Sequence, residues 1–110
     1  MADAAVKVTT LETRGPPSSP PPLTAAIVAP FEKLTAQFWP GVPVVPTLQP
    51  GATDGVFMAA VGIPTYGIEA VFMGPDLGNV HGLNEYVSVK SLLEGREFMY
   101  RLVKVYAEQK

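Results

Sequence analysis

The sequence predicts an α/β fold: a mostly parallel sheet flanked by helices, with elements in the order β-α-β-α-β-α. Two observations carry this. Three apolar, β-branched runs, at 6–11, 42–48 and 63–72, alternate with three segments of helical character. Proline and glycine clusters punctuate nearly every junction. The 110 residues are enough for one small domain with one core. At 47% hydrophobic and 16% charged, the composition is that of a folding chain with apolar surface to cover.

The first strand is predicted at 6–11, from the run Val6-Lys7-Val8-Thr9-Thr10-Leu11. Residues 15–22, Gly-Pro-Pro-Ser-Ser-Pro-Pro-Pro, exclude helix and central strand and read as an extended connector within the domain. Thr24 is placed to cap a helix whose stripe is Ile27, Phe31, Leu34 and Phe38. Pro30 is expected to kink that helix or delay its start, and Pro40-Gly41 to end it. A second strand follows at 42–48, made irregular by Pro43 and Pro46.

A turn at 49–52 leads to Thr53 as N-cap, with Asp54 in the first helical turn. The short helix covers 57–61 and Gly62 stops it. The third strand is 63–72. A glycine-rich loop over 73–84 carries His81. A long helix is expected from Ser88 to Glu108, with Leu92, Met99, Leu102, Val103 and Tyr106 on a broad apolar face. In a parallel sheet the loops after the second and third strands share the carboxyl edge. The predicted fold would thus bring "GATD" (51–54) and "HGLNE" (81–85) together.

Several functions are disfavoured. The net charge is −2 with no basic block, so a nucleic-acid partner is not expected. There is no cysteine, hence no thiolate ligand or nucleophile. No apolar run has transmembrane length, and "MADAAVKV" lacks the regions of a signal peptide; the compartment stays unknown. No phosphate-binding glycine loop or Gly-x-Ser-x-Gly elbow is present.

His81, the one histidine, reads in two ways. It is a metal ligand or acid–base group, or a surface histidine bonded to its own turn; position alone favours the second. Gly82 implies close backbone approach or positive φ. Asn84 and Glu85 either orient the imidazole or cap the helix ahead. Asp76 reads as a solvated turn residue before a ligand. Thr53 and Asp54 form an ordinary helix start or an anion site. Glu94 and Glu97 around Arg96 read as a solvated face, and Trp39 and Tyr100 as core or interface.

Taken together, "PGATDGVFMAAVGIPTYGI" (50–68) and "HGLNEYVSVKSLLEGREFMYRLV" (81–103) resemble the closing part of the catalytic domain in the zinc-dependent exopeptidase and aminoacylase family. That family includes glutamate carboxypeptidase, aminoacylase, carnosinase-like dipeptidases and succinyl-diaminopimelate desuccinylase. The resemblance spans residues 6–106. It implies that 1–110 is a C-terminal segment of a metallohydrolase domain, and so a partial domain. It implies hydrolysis of peptide or N-acyl amino acid amide bonds at two zinc ions, with His81 ligating one of them and Thr53 at the substrate pocket. Asp54, Gly82, Asn84 and Glu85 would shape the site or its surroundings. The other ligands and the glutamate base would come from the remainder of the catalytic domain, so no catalytic residue is expected here. A catalytic zinc takes about three protein ligands, so this chain alone is expected to be inactive. Val56 departs from the family where a polar substrate contact is common, and Tyr86 where arginine is. Two other readings stay open: a non-catalytic α/β binding module that keeps the scaffold, and a small-ligand binder using Thr53 for an anion.

Overall fold

A computed structural model describes residues 5–9, 19–48, 51 and 53–109. They fall into two compact units: one within Met1–Pro22 and Gln49–Tyr66, the other within Leu23–Leu48 and Gly67–Lys110. Three α-helices form among the described residues: α1 (Ala25–Phe38), α2 (Gly55–Ala60) and α3 (Val89–Ala107). A single 3-10 turn spans Leu77–Asn79.

The predicted α/β fold with its parallel sheet is not what forms. No strand exists among the described residues, which are helical or irregular. The predicted strand at 42–48, the whole of 63–72, and the described part of 6–11 carry no ladder. A β-branched, apolar run favours extended backbone, but a strand also needs a neighbour about 4.8 Å away to exchange N–H and C=O bonds. Among the described residues none of these segments carries a ladder bond, and Pro43, Pro46 and Pro64 remove donors from the runs themselves. Residues 10–11, 15–18, 49, 50 and 52, which hold the end of the first predicted strand and parts of the connector and turn, lie outside the described residues.

In the larger unit, α1 starts where expected. Thr24 stands at the N-cap position with ψ 158°, and its carbonyl accepts from the N–H groups of Ile27 (3.0 Å) and Val28 (2.9 Å); its side chain makes no cap bond. The helix continues through Pro30, which cannot supply the bond its position owes the Ala26 carbonyl. After α1, the Val42 N–H bonds the Trp39 carbonyl at 3.1 Å across Pro40-Gly41. Leu34 of the predicted stripe is buried, and Phe31 and Phe38 pack on the core.

Helix α3 is capped by the Ser88 hydroxyl, which accepts from the Ser91 N–H at 3.4 Å. Its buried line is Gly95, Phe98 and Leu102. Phe98 is 1% exposed and meets Phe31 and Phe38 edge-on, with ring centroids 5.6 and 5.4 Å away, and Trp39 at 4.8 Å. Leu34, Ala70 and Leu102 complete this core, and the Tyr106 hydroxyl donates to the Ile27 carbonyl. Of the predicted apolar face, Leu102 is buried and Tyr106 half-buried, while Leu92, Met99 and Val103 are exposed. The polar face holds i,i+4 pairs, Lys90–Glu94 (3.7 Å), Glu97–Arg101 (2.8 Å) and Lys104–Glu108 (3.9 Å), each worth about 0.3–0.5 kcal/mol. Trp39 is core-packed, as expected, and Tyr100 is exposed beneath the Lys104 ammonium. No helix among the described residues is long and apolar enough to cross a membrane.

In the smaller unit, α2 ends in a Schellman pattern: the Ile63 N–H reaches the Met58 carbonyl (3.0 Å) and the Gly62 N–H the Ala59 carbonyl (3.0 Å). Gly62 has φ +81°, so the predicted stop is a left-handed cap. The Gly55 end of α2 lies on Thr65, and the Tyr66 hydroxyl donates to the Pro22 carbonyl at 2.8 Å.

Candidate functional site

The loop around His81 is built on two successive reversals. In the first, Gly74-Pro75-Asp76-Leu77, the Leu77 N–H bonds the Gly74 carbonyl at 2.8 Å. Asp76 has φ −85° and ψ 7°, the third position of a type I turn. The second is unusual. Leu77, Gly78, Asn79, His81 and Asn84 all have positive φ, between +54° and +65°. Among the described residues, every non-glycine residue with positive φ lies in this loop. Asn and His tolerate the left-handed region better than most residues; leucine does not.

Asp76 and Tyr86 close the base of the loop. The Tyr86 hydroxyl donates to Asp76 Oδ2 at 2.6 Å, and the Gly78 N–H donates to Asp76 Oδ1 at 3.2 Å. The Tyr86 N–H donates to the Gly78 carbonyl at 3.0 Å. Gly78 is buried, and a Cβ there would run into the Tyr86 carbonyl and stand 3.0 Å from Met73 Sδ. Nearer the tip, the Gly82 N–H bonds the Asn79 carbonyl at 2.8 Å, and the Asn79 amide donates to the Leu83 carbonyl. A Cβ on Gly82 would fall 2.6 Å from Asn79 Oδ1.

His81, Gly82, Asn84 and Glu85 are all exposed on this loop. Asn84 and Glu85 precede the α3 cap, Ser88, by four and three positions, so neither caps that helix. In the other unit Thr53 and Asp54 are exposed. The N-cap position of α2 is Asp54 rather than Thr53, and the Thr53 hydroxyl accepts from the Gly55 N–H at 3.5 Å. Their expected meeting with the His81 loop depended on a sheet edge, and no strand exists among the described residues; the two groups belong to different units. Among the described residues no three His, Asp or Glu side chains come together to hold a metal ion.

The Asp76–Tyr86 pair was not singled out from sequence. Its local signal is Pro-Asp at a turn inside a glycine-rich loop; the tyrosine ten positions on shows only once the loop is closed. The hydrogen bond from Tyr86, then that from the Gly78 N–H, holds the Asp76 carboxyl below its ordinary pKa. The same bond, with the Asp76 charge adding, raises the Tyr86 phenol above its own. Asp76 therefore favours the closed loop above its unfolded pKa of about 4, and this is lost as pH falls through its lowered value. Tyr86 favours it below about pH 10, and this is lost as pH rises through its raised value. In NMR titration, the Tyr86 ring is expected to ionise at higher pH than a free tyrosine and to move down in Asp76→Asn. An unchanged midpoint in the variant would contradict the pair.

The profile of Peptidase family M20/M25/M40 matches residues 3–105, and the chain belongs to that family. Peptidase T of Clostridium perfringens (strain SM101) is 39% identical over 59 residues, covering 54% of this chain and 13% of the relative. Peptidase T of Brevibacillus brevis is 37% identical over 68 residues, covering 60% of this chain and 15% of the relative. The matched part is thus a small fraction of the length of these curated relatives. No solved structure matches the chain.

Proposed function

We propose that this chain is the C-terminal segment of the catalytic domain of a metal-dependent peptidase or amidohydrolase, cleaving peptide or N-acyl amino acid amide bonds. The observation that carries this reading is the family match over residues 3–105, which takes in His81. Its exposure on a loop closed at the base by hydrogen bonds supports His81 as a ligand to one of two zinc ions. Zinc in such a site polarises the scissile carbonyl and lowers the pKa of its water. The residues here fit one coordination position, an outward imidazole; the other ligands and the general base belong to the remainder of the catalytic domain. Gly82, Asn84 and Glu85 shape the surroundings of that imidazole. The Thr53 hydroxyl offers a polar contact for a peptide or acylated amino acid, and Asp54 occupies the N-cap position of α2.

The ligand role is tested with His81→Asn in the native polypeptide. Asparagine keeps the tolerance for φ +63° that alanine lacks. The expected result is loss of a zinc ion by metal analysis and a fall in kcat on the order of 10³-fold, since metal polarisation is worth several kcal/mol. Full zinc content and activity would sink the assignment. The segment reading is tested by the intact mass of the native polypeptide: several times 11.7 kDa is expected, and 11.7 kDa itself would overturn it.

A further inference from the structure

We propose that Asp76 and Tyr86 are positioning residues: their side-chain bond clasps the base of the 74–86 loop and fixes where His81 presents its imidazole. This rests on the reading of His81 as a zinc ligand. His81 lies five positions from each member of the clasp, at the exposed crown of the loop. Beyond the 3-10 turn at Leu77–Asn79 the crown has no helix or ladder among the described residues, and its left-handed backbone is a conformation that an unrestrained chain populates little.

What restrains it converges on one carboxylate. Asp76 Oδ1 takes the Gly78 N–H from the outgoing arm, and Oδ2 takes the Tyr86 hydroxyl from the returning arm. The Tyr86 N–H bond to the Gly78 carbonyl closes a second link at the same level. Buried Gly78 lets the two arms touch, since any side chain would strike the Tyr86 carbonyl. The side-chain link is charge-assisted and short at 2.6 Å, the stronger kind of hydrogen bond. Without it, the crown keeps its local Asn79–Gly82 and Asn79–Leu83 bonds but loses the tie that orients it against its own base. A ligand that must meet a metal within a few tenths of an ångström is sensitive to such a loss.

The test compares wild type, Tyr86→Phe, Asp76→Asn, the double variant and His81→Asn, all in the native polypeptide. Zinc affinity is read by competition with a chromophoric chelator, and folding by thermal melting. The clasp predicts that Tyr86→Phe and Asp76→Asn each weaken zinc binding about 10–100-fold while the fold is retained. The double variant should be no weaker than the worse single one, because both remove one bond. Asp76→Asn, nearly isosteric, serves as the second probe should Tyr86→Phe melt below the assay temperature. If His81→Asn loses zinc but the folded clasp variants bind like wild type, the clasp falls and the ligand assignment stands. If His81→Asn itself keeps full zinc affinity, the ligand reading fails and the clasp role with it.

Discussion

Phe98→Ala lowers the stability of the larger unit by about 3–5 kcal/mol, the range for deleting a fully buried phenylalanine. Phe98 is where α1 and α3 meet: Phe31, Phe38 and Trp39 all pack on its ring, and it is 1% exposed. Alanine leaves a void that three aromatic rings, each fixed by its own backbone, fill only in part. A small domain has roughly 5–15 kcal/mol in total, so the loss is a large fraction of what is available. Urea denaturation of the native polypeptide, followed by Trp39 fluorescence, should show the midpoint falling steeply. A shift worth less than about 1 kcal/mol would mean that Phe98 does not hold this core.

Gly95→Ala sets two effects against each other. Helix propensity favours alanine over glycine in a helix interior by about 1 kcal/mol. Packing opposes it: a methyl on Gly95 would run into the Ala70 carbonyl oxygen, 3.0 Å from its carbon and 3.2 Å from Val71 Cγ2. The obstacle is backbone and cannot rotate away. Overpacking of this kind costs about 1–3 kcal/mol, so net destabilisation is expected, read as a lower melting temperature. A rise in melting temperature would show that the 68–71 segment does not lie against α3.

The helices were legible because their signals are local. Ser88 marks the start of α3, Gly62 stops α2 with a left-handed cap, and Leu34 with its aromatic neighbours follows the helical period. Even so, the N-cap of α2 falls at Asp54, one residue past the expected Thr53, because both are competent there and local composition does not choose between them. The sheet was misread because residues at 42–48 and 63–72 specify extended backbone, whereas pairing depends on a partner elsewhere in the chain. His81 was visible as the one histidine, but its left-handed backbone was not, although Asn79, His81 and Asn84 are among the types that accept it. Leu77 gave no hint at all. The Asp76–Tyr86 bond was hidden because it depends on a loop conformation that no short window contains.

The left-handed loop also sets which substitutions each position accepts. At Leu77 the backbone and the residue disagree, so glycine or asparagine there would relax the chain even while shedding an exposed apolar group. At Asn84 the tolerated alphabet narrows to glycine, asparagine, aspartate and histidine, with valine, isoleucine and threonine the worst guests, and at Asn79 the amide that donates to the Leu83 carbonyl favours asparagine itself. On the proposed ligand role, two requirements act on His81. Glycine would suit the backbone best and removes the imidazole; any bulky branched side chain suits neither. A saturation library would therefore separate into positions filtered by conformation alone and positions, Asn79 and on the proposed role His81, filtered by their side chains as well.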